Sequence, residues 1–298
     1  MAGFTHGFEL HYDGPRVAME AKNLKSAIEN PTIVTDKLTK EVNLGRMAGP
    51  FSTPPLENFR VSPVGLVSKK SGNEYRLIHH LSHPENQSVN DYIDPTLCSV
   101  NYTHFDEAVE MVQQLGKNAD LAKLDISSAF KLLPISPADF ELLGIKHDGF
   151  YYYDKTLPFG VSIACATFEK NSTFLEWAGR KHSESDNIRH YLDDFLIGGK
   201  AGTTECKHVM DTFIGVCDHL SVPLATEKTE GPTTRLCFLG LDIDSAEMYV
   251  QIPHNKLLEL REKVKYILSR GKSHTERNAI TTRKSCVCMQ SNKTGQGI

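Results

Sequence analysis

The chain has 298 residues, of which 40% are hydrophobic and 23% charged, enough apolar material for a substantial core and too much for a mainly disordered chain. Its formal charge is −4, from 33 Lys+Arg against 37 Asp+Glu, so a uniformly basic nucleic-acid coat is excluded while a local basic groove is not. Seven cysteines without CxxC spacing argue against a disulfide framework and a structural zinc, and no stretch approaches the ~20 apolar residues that cross a bilayer, so the expectation is a soluble intracellular chain, cytoplasmic or nuclear, without a signal peptide.

In chain order, residues 17–47 read as two short helices broken at Pro31, the second carrying Val34, Leu38 and Val42 and ending at Gly45. A Pro-rich extended stretch comes next. The β-rich runs VGLVSKK and YRLIHHL, joined at Ser71-Gly72-Asn73, predict a hairpin. Thr103 or Asp106 can cap a helix bearing Ala108, Val109, Val112 and Leu115, which stops at Gly116. ADLAKLDISSAF predicts a buried strand running into a turn, and FYYYDKTL a further strand. Ser162 can cap an amphipathic helix carrying Ala166, Phe168, Phe174 and Trp177. IRHYLDDFLIGG is apolar, acidic, then apolar again, a hairpin with carboxylates at its tip. A helix over 203–220, a pair of strands in RLCFLGLDID and MYVQI, and a helix from Pro253 to Gly271 complete the pattern. Without strict βαβ repetition, the fold class expected is α+β with a largely antiparallel sheet.

Asp193 and Asp194 stand between strongly apolar, strand-forming flanks, where adjacent like charges destabilise unless a cation neutralises them. Asp125 ends an otherwise apolar strand. If the two strands are neighbours, their carboxylates form an oxygen cluster suited to two Mg²⁺ (or Mn²⁺) ions, which stabilise the attacking and leaving oxygens of an in-line phosphoryl transfer. Read singly, Asp193-Asp194 could be a polar hairpin tip and Asp125 a helix cap.

The ordered set of blocks resembles the fingers and palm of a reverse transcriptase. KLDISSAF (123–130), LPFGVSIACATFEK (157–170), YLDD (191–194), ATEKTEG (225–231) and CFLGLDI (237–243) are similar to five successive palm motifs, and VSKKSGNEYRLIHHL to the fingers hairpin. With FTHGF, FSTPP and FEKNSTFLEW, the wording is most similar to retrotransposons of the DIRS-like, tyrosine-recombinase group. The resemblance implies a right-hand polymerase in α+β form, its antiparallel palm sheet flanked by helices and its thumb largely missing. The implied divisions are an N-terminal helical extension (1–45), fingers and palm (46–253), the start of a thumb helix (254–271) and an aberrant tail (272–298).

By the same resemblance, Asp125 and Asp193 are the main metal ligands with Asp194 supporting the site, and Lys228 protonates departing pyrophosphate. Lys69 and Arg76 clamp the triphosphate of a deoxynucleotide, Phe130 packs under the incoming sugar where a 2′-hydroxyl would clash, and Phe159 with Gly160 lies against nucleotide and template. Leu239 and Gly240 hold the primer strand of a primer–template. Taken without the motifs, Phe130 could be a core ring, Lys69 and Arg76 a solvated basic hairpin, and Lys228 a surface lysine. Cys165 replaces a usual Pro, Glu169-Lys170 a usual Gln, and His79-His80 an Asp-containing pair, none of them a metal ligand.

Residues after Gly271 turn polar and aperiodic. With permitted wobble choices, codons for Ser273–Ile298 read one base later spell VTLKETQSLLGNLVFACKVIKPGRAF, an amphipathic string similar to the segment after the palm in DIRS-like elements. The expectation is a frameshift near codon 272. The function expected is RNA-directed DNA polymerisation. The alternatives are a silent remnant that binds nucleic acid and a two-metal phosphohydrolase, the latter leaving Phe130, the Lys69/Arg76 pair and the Leu239-Gly240 turn unexplained.

Overall fold

A computed structural model describes residues 2–68, 74–269 and 287–288. The chain divides into two units, Met1–Asn101 with Ser128–Asn171 and Tyr102–Ser127 with Ser172–Ile298.

In the first unit, Pro31 starts the helix Pro31–Asn43, as its fixed φ and missing N–H suit a first helical position, and Val34 and Leu38 on one face are fully buried. They pack with Ala27, Met47, Val64, Ile145 and Tyr152. A mixed sheet joins Met19–Glu20, Arg60–Val61, Gly144–His147, Phe150–Asp154 and Met47–Phe51 in that order. Part of the Pro-rich stretch is thus a strand, paired antiparallel to Phe150–Asp154, and GIKH pairs with FYYYD as a hairpin that the sequence showed only in its second half. The predicted hairpin pairs Val64–Ser68 with Tyr75–His79, while its turn at Ser71-Gly72-Asn73 lies outside the described residues.

The second unit carries the antiparallel sheet. Its order is Glu230–Thr233, Asp120–Asp125, Asp194–Gly199, Ile188–Tyr191. Asp120–Asp125 and Asp194–Gly199 are central and almost wholly buried, which explains their near-continuous apolar runs. The helices Phe105–Leu115 and Glu205–His219 pack on this sheet. Ala108, Met111 and Val112 meet Leu121 and Leu196 in one core with Leu236, Phe238, Ile243 and Val250 of the neighbouring strands. Burying each large apolar side chain contributes roughly 1.5–3 kcal/mol. The α+β class with an antiparallel, helix-flanked sheet is therefore the observed one.

Three local expectations are corrected. The cap of Phe105–Leu115 is His104, in a capping box with Glu107, rather than Thr103 or Asp106. RLCFLGLDID is not one strand: it splits into Arg235–Phe238 and Leu241–Asp244, because Leu239 and Gly240 both take positive φ (47° and 81°) and reverse the chain. On the helix Ala164–Ser183, Phe168 is buried but Phe174 and Trp177 are exposed and stack on each other at 5.9 Å, since the buried stripe runs through Phe168 and Leu175. The last helix spans His254–Ser269; its extension to Gly271 and the tail beyond lie outside the described residues, except Val287–Cys288, which pairs with Tyr249–Val250.

Candidate active site

Strand register brings the two acidic segments together. Asp125 and Asp194 are Cα partners on adjacent antiparallel strands, an arrangement of like charges that is destabilising unless something neutralises it. Tyr191 pairs with Asp194, leaving Leu192 and Asp193 as the two-residue turn, with Leu192 held at φ 54°. A leucine in the left-handed region costs roughly 1 kcal/mol, which the surrounding pairing must sustain. The Asp193 carbonyl accepts from Ile126 N at 2.9 Å, tying the turn to the end of the Asp125 strand. Tyr191 stacks on Tyr102 at 4.8 Å. Behind the hairpin, His190 donates to Glu176 (2.5 Å), which also pairs with Arg180.

Lys228 supplies the compensating charge. Its ammonium donates to both oxygens of Asp125 at 2.8 Å. The lysine reaches there because Thr226–Lys228 is a tight turn whose preceding residue, Ala225, donates its N–H to the Asp125 carbonyl at 2.8 Å. Bonding to Asp125 holds the Lys228 pKa above its ordinary value. Burial, followed by the charges of Asp193 and Asp125, pushes the Asp194 carboxyl up to about 6. The cluster thus holds more negative charge than Lys228 and Lys123 balance. Lys123 precedes Asp125 by two residues on the same strand face, donates to the Cys237 carbonyl at 3.0 Å and pairs with Glu230 at 3.1 Å. Asp125, Asp194, Lys228, Lys123, Leu239, Gly240 and Lys256 line one open cavity of about 590 Å³.

The first unit gathers a second set. Phe130 meets Phe159 and Phe168 edge-on, at 5.2 and 5.4 Å, so its ring is bracketed from two sides. Gly160 has φ +118°, and a Cβ there would lie 2.1 Å from the His79 carbonyl oxygen, so this position admits only glycine. Asn90 staples the same loop, donating to the Gly160 carbonyl (2.8 Å) and accepting from Ser162 N (2.9 Å). His79, one of the departures from the family pattern, is buried against Asp154 (3.3 Å), whose other oxygen accepts from Lys131 at 2.5 Å. Arg76 is exposed on its hairpin strand, and Lys69 lies outside the described residues.

The sequence did not single out Lys123, Asn90 or Lys256. Lys123 was recoverable from the period of two along the Asp125 strand. Asn90 and Lys256 join their sites through tertiary packing and leave no local signal.

Residues 67–243 match the family "Reverse transcriptase (RNA-dependent DNA polymerase)". Protein P of duck hepatitis B virus (strain Germany/DHBV-3) is 30% identical over 150 residues, covering 48% of this chain and 18% of that protein. The Tf2-3 transposon polyprotein of Schizosaccharomyces pombe is 24% identical over 231 residues, 76% of this chain and 16% of the polyprotein. The chain therefore spans less than a fifth of the length of these curated relatives. Among solved structures, the foamy viral protease-reverse transcriptase in complex with dsDNA superposes with TM-score 0.63 at 15% identity, over 86% of this chain and 49% of that one. The same protein in complex with an RNA/DNA hybrid gives TM-score 0.62 at 16% identity, over 90% of this chain and 32% of that one. No described helix is long and apolar enough to cross a membrane. With its family match spanning all three acidic motif positions and the Leu239-Gly240 turn, the chain belongs to the reverse transcriptase (RNA-dependent DNA polymerase) family.

Proposed function

We propose that this chain is the polymerising core of a retrotransposon reverse transcriptase of the DIRS-like group, adding deoxynucleotides to a primer 3′ end on an RNA or DNA template. The observation that carries the reading is the Asp125–Asp194 pair, set face to face by strand register, with Lys228 bound to Asp125. Foamy viral relatives of the same fold were captured with dsDNA and with an RNA/DNA hybrid, which supports a primer–template duplex as the partner.

The donor set of Asp125, Asp193 and Asp194 is all oxygen and under-neutralised, the chemistry a hard divalent cation requires. Among the described residues no three His, Cys, Asp or Glu side chains already converge as a cage, and Lys228 rests on Asp125 instead. The residues fit Mg²⁺ or Mn²⁺ in the usual way for such sites, with few carboxylates and the remaining ligands from water and substrate phosphates. Bound there, two ions supply charge stabilisation for the attacking and leaving oxygens.

The protein's own share rests on its side chains. Asp125 and Asp193 would hold the cations, with Asp194, paired to Asp125 across the strands, supporting the site. Lys228, once released from Asp125, carries a proton on a flexible stem and can deliver it to the leaving pyrophosphate. Phe130, fixed by Phe159 and Phe168, excludes a 2′-hydroxyl; Gly160 admits close backbone approach. Arg76 and Lys69 take the triphosphate. The Leu239-Gly240 turn holds the primer by its backbone, in keeping with sequence-independent binding. Residues 46–253 then comprise fingers and palm, preceded by the helical extension 1–45 and followed by the thumb start at 254–271.

The test is incorporation of labelled deoxynucleotide into a primed template. Incorporation that EDTA abolishes and Asp125→Asn removes supports the reading; incorporation that survives both refutes it.

A further inference from the structure

The primer-holding turn has a cation built against it. Lys256, in the helix His254–Ser269, places its ammonium directly over Gly240, donating to the Gly240 carbonyl at 3.3 Å. A Cβ on Gly240 would fall 2.4 Å from that nitrogen, so the glycine both turns the chain and leaves room for the lysine. Lys256 lines the same cavity as Asp125, Asp194, Leu239 and Gly240.

Its charge state distinguishes it from its neighbours there. Lys228 is spent on Asp125 and Lys123 on Glu230. Lys256 has no carboxylate partner among the described residues, and its ammonium makes one long bond to a neutral carbonyl. It retains two donors and a full charge at the wall of an otherwise acid-bearing cavity. A cation held this way, half-buried and unneutralised, is matched by a singly charged phosphodiester that approaches along the turn.

We propose that Lys256 is a phosphate contact for the primer strand, acting with the Leu239-Gly240 turn to seat the primer end over the carboxylates. This rests on the polymerase reading above and adds a residue to it. As a point charge, Lys256 contributes affinity and position without base preference.

The experiment measures primer–template Kd against salt concentration for the wild-type chain, Lys256→Ala, Lys256→Arg and Lys263→Ala. Lys263 is exposed on the same helix and controls for general loss of charge. Melting temperatures check folding. A lost phosphate contact raises Kd about tenfold for Lys256→Ala and lowers the slope of log K against log salt by about one. Lys256→Arg restores most of both, and Lys263→Ala changes neither. Equal losses in Lys256→Ala and Lys263→Ala, or no loss in Lys256→Ala, overturn the assignment. An unchanged primer–template Kd with a raised KM for deoxynucleotide would place the ammonium on the triphosphate and overturn it as well. Should the wild-type chain itself fail to bind primer–template, the polymerase reading falls and this assignment with it, whereas a loss confined to the variants bears on Lys256 alone.

Discussion

Asp125 and Asp194 face one another on paired strands, where Lys228 on Asp125 offsets part of the repulsion, and burial together with the Asp193 and Asp125 charges raises the Asp194 carboxyl to about 6. On the proposed function a cation would compete with Lys228 for Asp125, so removing the lysine should have two opposite effects. Lys228→Ala is expected to bind Mn²⁺ more tightly, read by electron paramagnetic resonance, while slowing extension by roughly 10²-fold if it is the general acid. Tighter binding without any slowing would leave Lys228 as a placeholder only. Phe130 offers a sharper test of substrate choice. If the Phe130 ring, held by Phe159 and Phe168, is the group that excludes a 2′-hydroxyl, Phe130→Ala should lower the preference for deoxy- over ribonucleotides by roughly 10²-fold in kcat/KM. An unchanged ratio would make the ring a core residue. At this scale the three carboxylates were legible from sequence, since a charge inside an apolar strand is costly unless a cation or partner stabilises it. Lys256 and Asn90 were not, because tertiary packing rather than local sequence places them.

At the scale of elements, tight turns position the chemistry. The Tyr191–Asp194 and Phe238–Leu241 reversals both hold a leucine in the left-handed region, Leu192 at 54° and Leu239 at 47°. The first reversal was readable from its apolar–acidic–apolar pattern. The second lies in an apolar run that periodicity alone reads as one strand, and it was the family resemblance that implied a turn at Leu239-Gly240. Gly160 is the most constrained of the loop positions, because the obstacle is backbone oxygen rather than a mobile side chain. Gly160→Ala is expected to destabilise the fold by about 2–3 kcal/mol in urea titration. A change below about 0.5 kcal/mol would show that the loop re-forms around the methyl group.

The buried Lys131–Asp154–His79 group gives the first unit a pH dependence. Burial alone would raise the Asp154 pKa, but Lys131 and His79 outweigh it and hold the carboxyl below its usual range. A depressed folded pKa means stability that is present above the unfolded value of about 3.9 and lost as pH falls through the folded one. Asp154→Asn should therefore cost about 3 kcal/mol at pH 7, the difference narrowing below about pH 4. A difference independent of pH would mean that the group acts by packing, not charge.

For the whole molecule, the family and the α+β plan were legible because several short blocks recur in a fixed order. No single block was specific. The edge strands Met47–Phe51 and Glu230–Thr233 were not legible, as each contains a proline and lacks alternation. One unit carries the carboxylates, Lys228 and the Leu239-Gly240 turn, and the other the aromatic bracket and the Gly160 loop. Phosphoryl transfer and substrate selection should then be separable by mutation, with kcat moving for the carboxylate set and KM and fidelity for the aromatic set.

The proposed polymerase depends on its paired aspartates for chemistry. The most direct measurement is extension of a DNA primer on an RNA template by the purified chain with Mg²⁺, beside Asp193→Asn/Asp194→Asn. The expected result is extension by the wild-type chain and none by the double variant, at unchanged primer–template binding. Binding by both with extension by neither would contradict that role.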